Sequence, residues 1–319
     1  MSVMIPYAFW DILHHVQQFI ERNPTGVLFL RWTTATGKSQ IGCELAEILP
    51  IEIISSDSRQ IFRGMDIGTD KVDEETRTRI PHHQIDIVNP DESYTAWQRA
   101  YDTKALIETL HANKKIPLIV WWTWLYIDTI YKNFRMPDVE PNEELRKELY
   151  AKEDETPWIL HTLLREVDPE SAHSIHPRST RYIIRALEIY YATGKPKSQI
   201  ATVLWPDYPT FMCWLWRDIW DNEQRIHRRI VWMLEKWLLK ETQALIDQWY
   251  TLDLQSMQGI GYKECVSYIQ KTLSYDEVIE SMSKRTRNYA KRQRTWLRRY
   301  IADADTQPFD NVTYRVYQL

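Results

Sequence analysis

The 319-residue sequence predicts an α/β fold, a parallel sheet flanked by helices and interrupted by an all-helical insertion domain. Three observations carry that prediction. Short apolar runs alternate with helix-like stretches from Val27 to Val120. The segment LFLRWTTATGKSQIG, residues 28–42, sets a loop ending in Gly37-Lys38-Ser39 between a strand pattern and a helix pattern. From about residue 133 to 205 no convincing strand remains. With 44% apolar and 26% charged residues, the chain can bury a sizeable core in two lobes.

Residues 1–25 read as an extra amphipathic helix ahead of Gly26. VLFLR (27–31) is the first strand, and a helix from Lys38 to Leu49 follows the loop until Pro50 closes it. IEIISSD supplies a second strand ending at Asp57, and QIDIV (84–88) and IPLIV (116–120) supply two more, with a helix from about Ala96 to Ala112 between them. Buried strands alternating with helices form a parallel sheet with ligands at its carboxyl ends. The core therefore spans 26–132 and the helical insertion 133–205, which includes NEELRKELYAKE and STRYIIRALEIYYATGK. Gly194 and Pro196 stop the second of these helices. The core resumes over 206–319, with FMCWLW (211–216) as a returning strand and long helices over 221–248 and from Ser274. The Ser274 hydroxyl, with Asp276 and Glu277, makes a good helix start.

The N-terminus mixes apolar residues with Asp11, two histidines and Glu21, which is unlike a signal peptide, and no run is long enough to span a bilayer. A cytoplasmic protein without membrane partners is expected, and nothing demands more than a monomer. Cys43, Cys213 and Cys265 form no CxxC pair and read as buried small hydrophobes. The net charge of −4 does not suggest nucleic acid, but KRTRNYAKRQRTWLRR (284–299) carries eight basic residues and no acid. That stripe suits contact with phosphates, with Tyr289 and Trp296 packing on protein or bases; it also suits a solvated helix face.

A G-x-x-x-x-G-K-[ST] loop curls backbone N–H groups around phosphate, its Lys neutralises charge and its hydroxyl ligates Mg²⁺. Here the second half is intact between a strand and a helix, which points to phosphate binding of the nucleotide-binding or ATP-binding type, the alternative being a chance Gly-Lys-Ser at a helix start, while Trp32 stands at the first glycine. Asp57, at the carboxyl end of the second strand, faces the phosphate site as a general base, a metal partner or simply a turn cap. Asp86 reads as structural.

TATGKS, ISSDSRQIFRGMDIGTDK, HHQIDIV, TWLY, RALEIYYATGKP, QGIGYKE and YAKRQRTWLRR, in this order and spacing, strongly resemble the tRNA dimethylallyltransferase family, from about residue 26 to 303. The resemblance implies a P-loop NTPase-like fold and prenylation of an adenine next to the anticodon. It implies that the diphosphate of dimethylallyl diphosphate lies on Trp32, Thr33, Thr34, Ala35, Thr36, Gly37, Lys38 and Ser39, with Mg²⁺ near Ser39. Asp57 then takes the N6 proton, and Thr123 positions the base or the diphosphate. Contacts to the tRNA anticodon stem-loop map onto Asp57, Ser58, Arg59, Gln60, Arg181, Tyr182, Arg185, Gly259, Ile260, Gly261, Tyr262 and Lys263, with the insertion as a clamp. The alternatives are an adenylate isopentenyltransferase, a small-molecule P-loop kinase and a tRNA-binding relative without catalysis.

Glycine occupies 8 of 319 positions, about 2.5% against a usual ~7%, while tryptophan appears 15 times. The family pattern has glycine where this chain has Trp32, Trp121, Trp122 and Trp124, and commonly where it has Trp237 and Trp249. Random drift explains this poorly, because an indole rarely tolerates the backbone of a tight turn. One cause suffices: UGA is read as glycine in some genetic codes and as tryptophan in others. If about ten of the 15 tryptophans are glycine, both residue types return to near-ordinary usage. Trp296 reads as genuine, whereas Trp10, Trp158 and Trp232 are undecided.

Overall fold

The computed structural model describes residues 7–31, 33–121, 139–200, 207–306 and 312–319. The chain divides into two compact units, 1–126 with 208–319, and 127–207. In the first unit, helix α1 (Tyr7–Arg22) precedes β1 (Val27–Arg31), α2 (Lys38–Ile48), β2 (Ile51–Ser56), α3 (Glu74–Arg79), β3 (His82–His83), α4 (Ala96–Ala112) and β4 (Ile116–Trp121). The second unit, among its described residues, is helical: α5 (Glu143–Glu155), α6 (Ile159–Val167), α7 (Pro169–Ser174), α8 (Thr180–Thr193) and α9 (Lys197–Ile200). The first unit then continues with β5 (Thr210–Trp216), α10 (Ile219–Glu235), α11 (Leu238–Asp247), α12 (Tyr262–Ile269), α13 (Tyr275–Thr306) and β6 (Val312–Gln318). Among the described residues no helix is long and apolar enough to cross a membrane.

The six strands lie in the order β3-β2-β4-β1-β5-β6, and every pairing is parallel. Every residue of β1 is buried, as expected of a central strand covered on both faces. Leu28, Phe29 and Leu30 pair with Leu118, Ile119 and Val120 on one side and Phe211, Met212 and Cys213 on the other. Helix α1 lays Phe9, Ile12, Val16 and Phe19 into the core, and its His15 meets the Tyr317 hydroxyl of β6 at 2.9 Å. The residues outside the family resemblance thus complete the sheet edge. All three cysteines are free; Cys213 and Cys265 are buried and Cys43 half-buried.

Two expected elements differ. QIDIV is no strand: only His82–His83 pairs with β2, and Gln84 (φ 59°) and Asp86 (φ 57°) are left-handed, which a strand cannot accommodate. Asp86 instead receives Lys71 at 2.5 Å and Arg77 at 2.6 Å, and those contacts hold its carboxyl below the usual range against the opposing effect of burial. The helix expected over 221–248 divides at Lys236 and Trp237, where the backbone turns left-handed (φ 78° at Trp237).

Trp158 (φ 74°), Trp237 and Trp249 (φ 68°) all hold the left-handed conformation that helix boundaries give to glycine. Trp237 and Trp249 follow the C-caps of α10 and α11, and Trp158 precedes α6. Packing does not explain them, because Trp249 is 90% exposed and the other two are exposed as well. A side chain in this region costs on the order of 1–2 kcal/mol. Trp249→Gly is therefore expected to raise stability by roughly 0.5–1 kcal/mol after the added chain entropy of glycine. Urea unfolding tests this; a loss of stability would show that the indole contributes packing. Peptide mass spectrometry of the protein made by its own organism is expected to find glycine at 158, 237 and 249, and tryptophan there would refute recoding.

Candidate active site

The site forms where β1 and β2 end. Thr33 to Gly37 turn tightly into α2, with Ala35 (φ 61°) and Gly37 (φ 99°) both left-handed, so the last position before Lys38 requires glycine. The loop closes on itself: the Thr33 carbonyl accepts from Lys38 Nζ at 2.5 Å and from the Thr36 hydroxyl at 2.9 Å. Lys38 is only 4% exposed. Burial, and then the charge of Arg229, push its pKa down to about 7, with Asp57 and Asp70 opposing. Ser39 is exposed at the start of α2. Trp32, Thr123, Trp122 and Trp124 lie outside the described residues, as does the side chain of Trp121.

Helix α10 supplies a basic face that sequence reading missed. Asn222 Nδ2 donates to the Thr34 carbonyl (2.8 Å) and Arg225 Nε to the Ala35 carbonyl (2.8 Å). Arg229 bridges the Thr34 hydroxyl (2.6 Å) and Asp70 (2.7 Å), while Arg217, just before the helix, pairs with Asp221 at 2.7 Å. From α13, Gln293 accepts the Thr34 N–H at 3.0 Å. The four-residue spacing of Arg225 and Arg229 in RIHRR was the available signal, since it sets both on one helix face. Several buried polar atoms here find no hydrogen-bond partner among the described residues, including Thr33 Oγ1, Ser56 Oγ, Asn222 Oδ1, Arg229 Nε and Gln293 Nε2. Buried polar atoms are seldom left unpaired, so this cluster suits a polar ligand.

Asp57 follows β2, half-buried, and its Oδ1 accepts the Arg59 N–H at 2.7 Å. Burial pushes its pKa above the ordinary carboxylate value; the Arg59 N–H, the charges of Arg99 and Arg59, and the Gln60 N–H oppose that rise. Ser58 is half-buried. Arg59 reaches the Gln255 carbonyl at 2.5 Å. Gln60 is buried, accepts the Ser55 hydroxyl at 2.7 Å and donates to the Thr69 and Asp70 carbonyls at 3.2 Å. Burial, and then the nearby Asp57, raise the Tyr289 phenol of α13 to about 12.

The segment 259–263 divides. Tyr262 is buried, its ring packs where a Cβ on Gly68 would lie (2.5 Å), and its hydroxyl donates to Glu241 at 2.7 Å. Glu241 also accepts the N–H groups of Asp66, Ile67 and Gly68. Gly259 and Gly261 are buried, Ile260 is half-buried and Lys263 is exposed. The buried Tyr262 side chain therefore braces the 66–68 turn through Glu241. In the helical unit, Arg181 and Tyr182 are exposed on α8. Arg185 instead spans Glu188 (2.5 Å) and the Val139 carbonyl (2.8 Å).

A buried ammonium, several guanidinium groups and unpaired donors around one loop suit a multiply charged anion. A carboxylate beside it suits proton abstraction. Among the described residues no cluster of three or more His, Cys, Asp or Glu could hold a metal ion. Mg²⁺ held by one hydroxyl and by ligand phosphate oxygens requires no such cluster.

A family model described as IPP transferase matches residues 60–300. The tRNA dimethylallyltransferase of Pelotomaculum thermopropionicum is 41% identical over 283 residues, covering 88% of this chain and 90% of its own. That of Thermotoga maritima is 40% identical over 267 residues, covering 84% and 87%. Among solved structures, the full-length tRNA isopentenylpyrophosphate transferase of Bacillus halodurans is similar with a TM-score of 0.63 at 35% identity, covering 92% of this chain and 90% of its own. A eukaryotic dimethylallyltransferase acting on tRNA gives a TM-score of 0.76 at 29% identity, covering 91% and 73%. With a loop of this geometry at the carboxyl end of a parallel sheet, and relatives matched along most of its length, the chain belongs to the tRNA dimethylallyltransferase family.

Proposed function

We propose that this chain transfers a dimethylallyl group from dimethylallyl diphosphate to N6 of the adenosine 3′ of the anticodon in tRNA. The observation that carries the reading is the meeting of the cationic loop around Lys38 with the half-buried carboxylate of Asp57. Lys38 and the loop N–H groups hold the diphosphate, with Arg225 and Arg229 adding charge from α10. Ser39 would hold Mg²⁺, which would further neutralise the leaving group. Asp57 accepts a proton from N6 as that nitrogen bonds to the allylic carbon and the carbon–oxygen bond to diphosphate breaks. Exposed Lys263, Arg181 and Tyr182, and the basic face of α13, are the RNA-contacting candidates, and the adenine leaves its stack to reach Asp57. The protein works in the cytoplasm as a monomer.

Prenyl transfer to an anticodon stem-loop by two synthetic chains is the direct test. The chain with glycine at 32, 121, 122 and 124 is expected to transfer and the chain as written is not; equal activity would refute the claim that an indole blocks the loop, and no transfer by either would overturn the function. In the active chain, Asp57→Asn is expected to lower kcat by about 10²–10⁴ while RNA binding persists. Full activity would remove Asp57 as the base.

The pKa of Lys38 predicts a pH effect. Free Lys38 loses its proton near pH 7, and a bound anion restores it, so binding above pH 7 takes up a proton. Affinity for inorganic pyrophosphate is expected to fall between pH 7 and 9, by at most about tenfold per unit, with proton uptake visible by calorimetry in buffers of different ionisation enthalpy. Affinity independent of pH would show that Lys38 stays charged in the empty site.

A further inference from the structure

A fully buried cation lies beneath Asp57. Arg99, in the first turn of α4, is 0% exposed. Its Nη1 donates to the Asp57 carbonyl and its Nη2 to the Ser55 carbonyl, each at 2.8 Å. Its Nε donates to Gln84 Oε1 at 3.1 Å, and Nη2 also faces the Gln84 carbonyl at 3.4 Å. Gln84 is itself fixed, because its left-handed backbone turns it away from the sheet and its Nε2 donates to the Thr103 hydroxyl at 2.8 Å. One guanidinium therefore grips the chain at the end of β2, where the sheet ladder finishes at Ser56 and Asp57 begins the loop. A lysine could not hold these oxygens at once, since its ammonium is a point donor and the guanidinium is a rigid fork.

A buried guanidinium is unfavourable unless oxygens and an opposite charge meet it. The carbonyl and amide oxygens meet its donors, and the Asp57 carboxylate supplies nearby negative charge. We infer that Arg99 is the positioning residue for Asp57, fixing the two carbonyls that set the base in place and setting a permanent positive charge behind its carboxylate. The inference rests on Asp57 being the base. Other charged or titratable groups facing Asp57 are Arg59 on its own loop, Lys38 on α2 and Tyr289 on α13. Of the side-chain charges that hold the carboxyl down, that of Arg99 acts more strongly than that of Arg59.

The test uses Arg99→Gln and Arg99→Lys in the transferring form of the full chain. The readouts are kcat/KM against pH, KM for the stem-loop, thermal melting, and direct titration of the Asp57 carboxyl by carbon NMR. Arg99→Gln is expected to move the acidic limb of kcat/KM and the carboxyl titration up by about one pH unit, and to lower the plateau about tenfold or more, with KM for RNA unchanged. Arg99→Lys is expected to restore the limb and leave the plateau low. A limb and carboxyl titration unmoved by Arg99→Gln would overturn the electrostatic role, and a wild-type plateau in Arg99→Lys would overturn the positioning role. If Arg99→Gln does not fold, Arg99→Lys decides by the same plateau criterion. Should Asp57→Asn keep full transfer, the base reading fails separately, and the NMR titration still reports whether Arg99 governs that carboxyl.

Discussion

The buried ammonium of Lys38 is the constraint around which the site is organised. It sits against the Thr33 carbonyl with the Arg229 guanidinium close enough to depress its pKa, so two like charges share a poorly solvated space. Such an arrangement opposes folding of the empty protein unless negative charge is near. Asp57 and Asp70 supply part of it, and Asp70 does so through a direct bond to Arg229. The remaining positive charge suits a multiply charged anion. Guanidinium charge set in place before a ligand arrives requires little reorganisation during the reaction, which is the usual source of electrostatic catalysis, whereas Lys38 takes up its proton with the anion.

Around that centre the polypeptide is held mainly by side chains that reach backbone. Asn222 and Arg225 hold loop carbonyls, Arg99 holds those of Ser55 and Asp57, and Gln60 holds those of Thr69 and Asp70. Glu241 does the complementary task, gathering three N–H groups of the 66–68 turn and the Tyr262 hydroxyl. The turn leads to Asp70, which pairs with Arg229, so α11 and α12 bear on the loop around Lys38 through that ion pair. A glycine-rich segment such as QGIGYKE then has two faces, a buried one that braces the site and an exposed Lys263.

The central sheet was legible because its strands are continuous apolar runs, and the Gly37-Lys38-Ser39 loop was legible because its chemistry is local. What escaped was long-range. QIDIV looks like a strand by alternation alone, yet two of its residues are left-handed because Gln84 answers to Arg99 and Asp86 to Lys71 and Arg77. No motif singles out Arg99 within its helix, and only the folded chain places it under Asp57. The guanidinium groups of α10 are separated from the loop by about 190 residues of sequence, and spacing on one helix face does not say what that face meets. Strand β6 (VTYRVYQ) buries only Tyr317 and lies beyond the family motifs, so it has no continuous apolar run to mark it.

The tryptophans separate by backbone and burial. Trp214 lies inside β5, 1% exposed, with the Arg31 guanidinium 4.8 Å from its ring centroid, which is how a structural indole behaves. Trp158, Trp237 and Trp249 do the reverse, exposing a large apolar ring from a backbone suited to glycine. Trp237 stacks with Lys240 at 3.9 Å, yet a contact formed on the surface after the turn is made does not explain why the turn carries an indole. Helix ends select glycine for conformational reasons that are independent of any phosphate chemistry. Two of these sites were already suspected from the family pattern, and Trp158 joins them on backbone grounds alone. That agreement between unrelated criteria argues that the indole at position 32, leading into a loop whose next carbonyl is committed to Lys38 and Thr36, has the same origin.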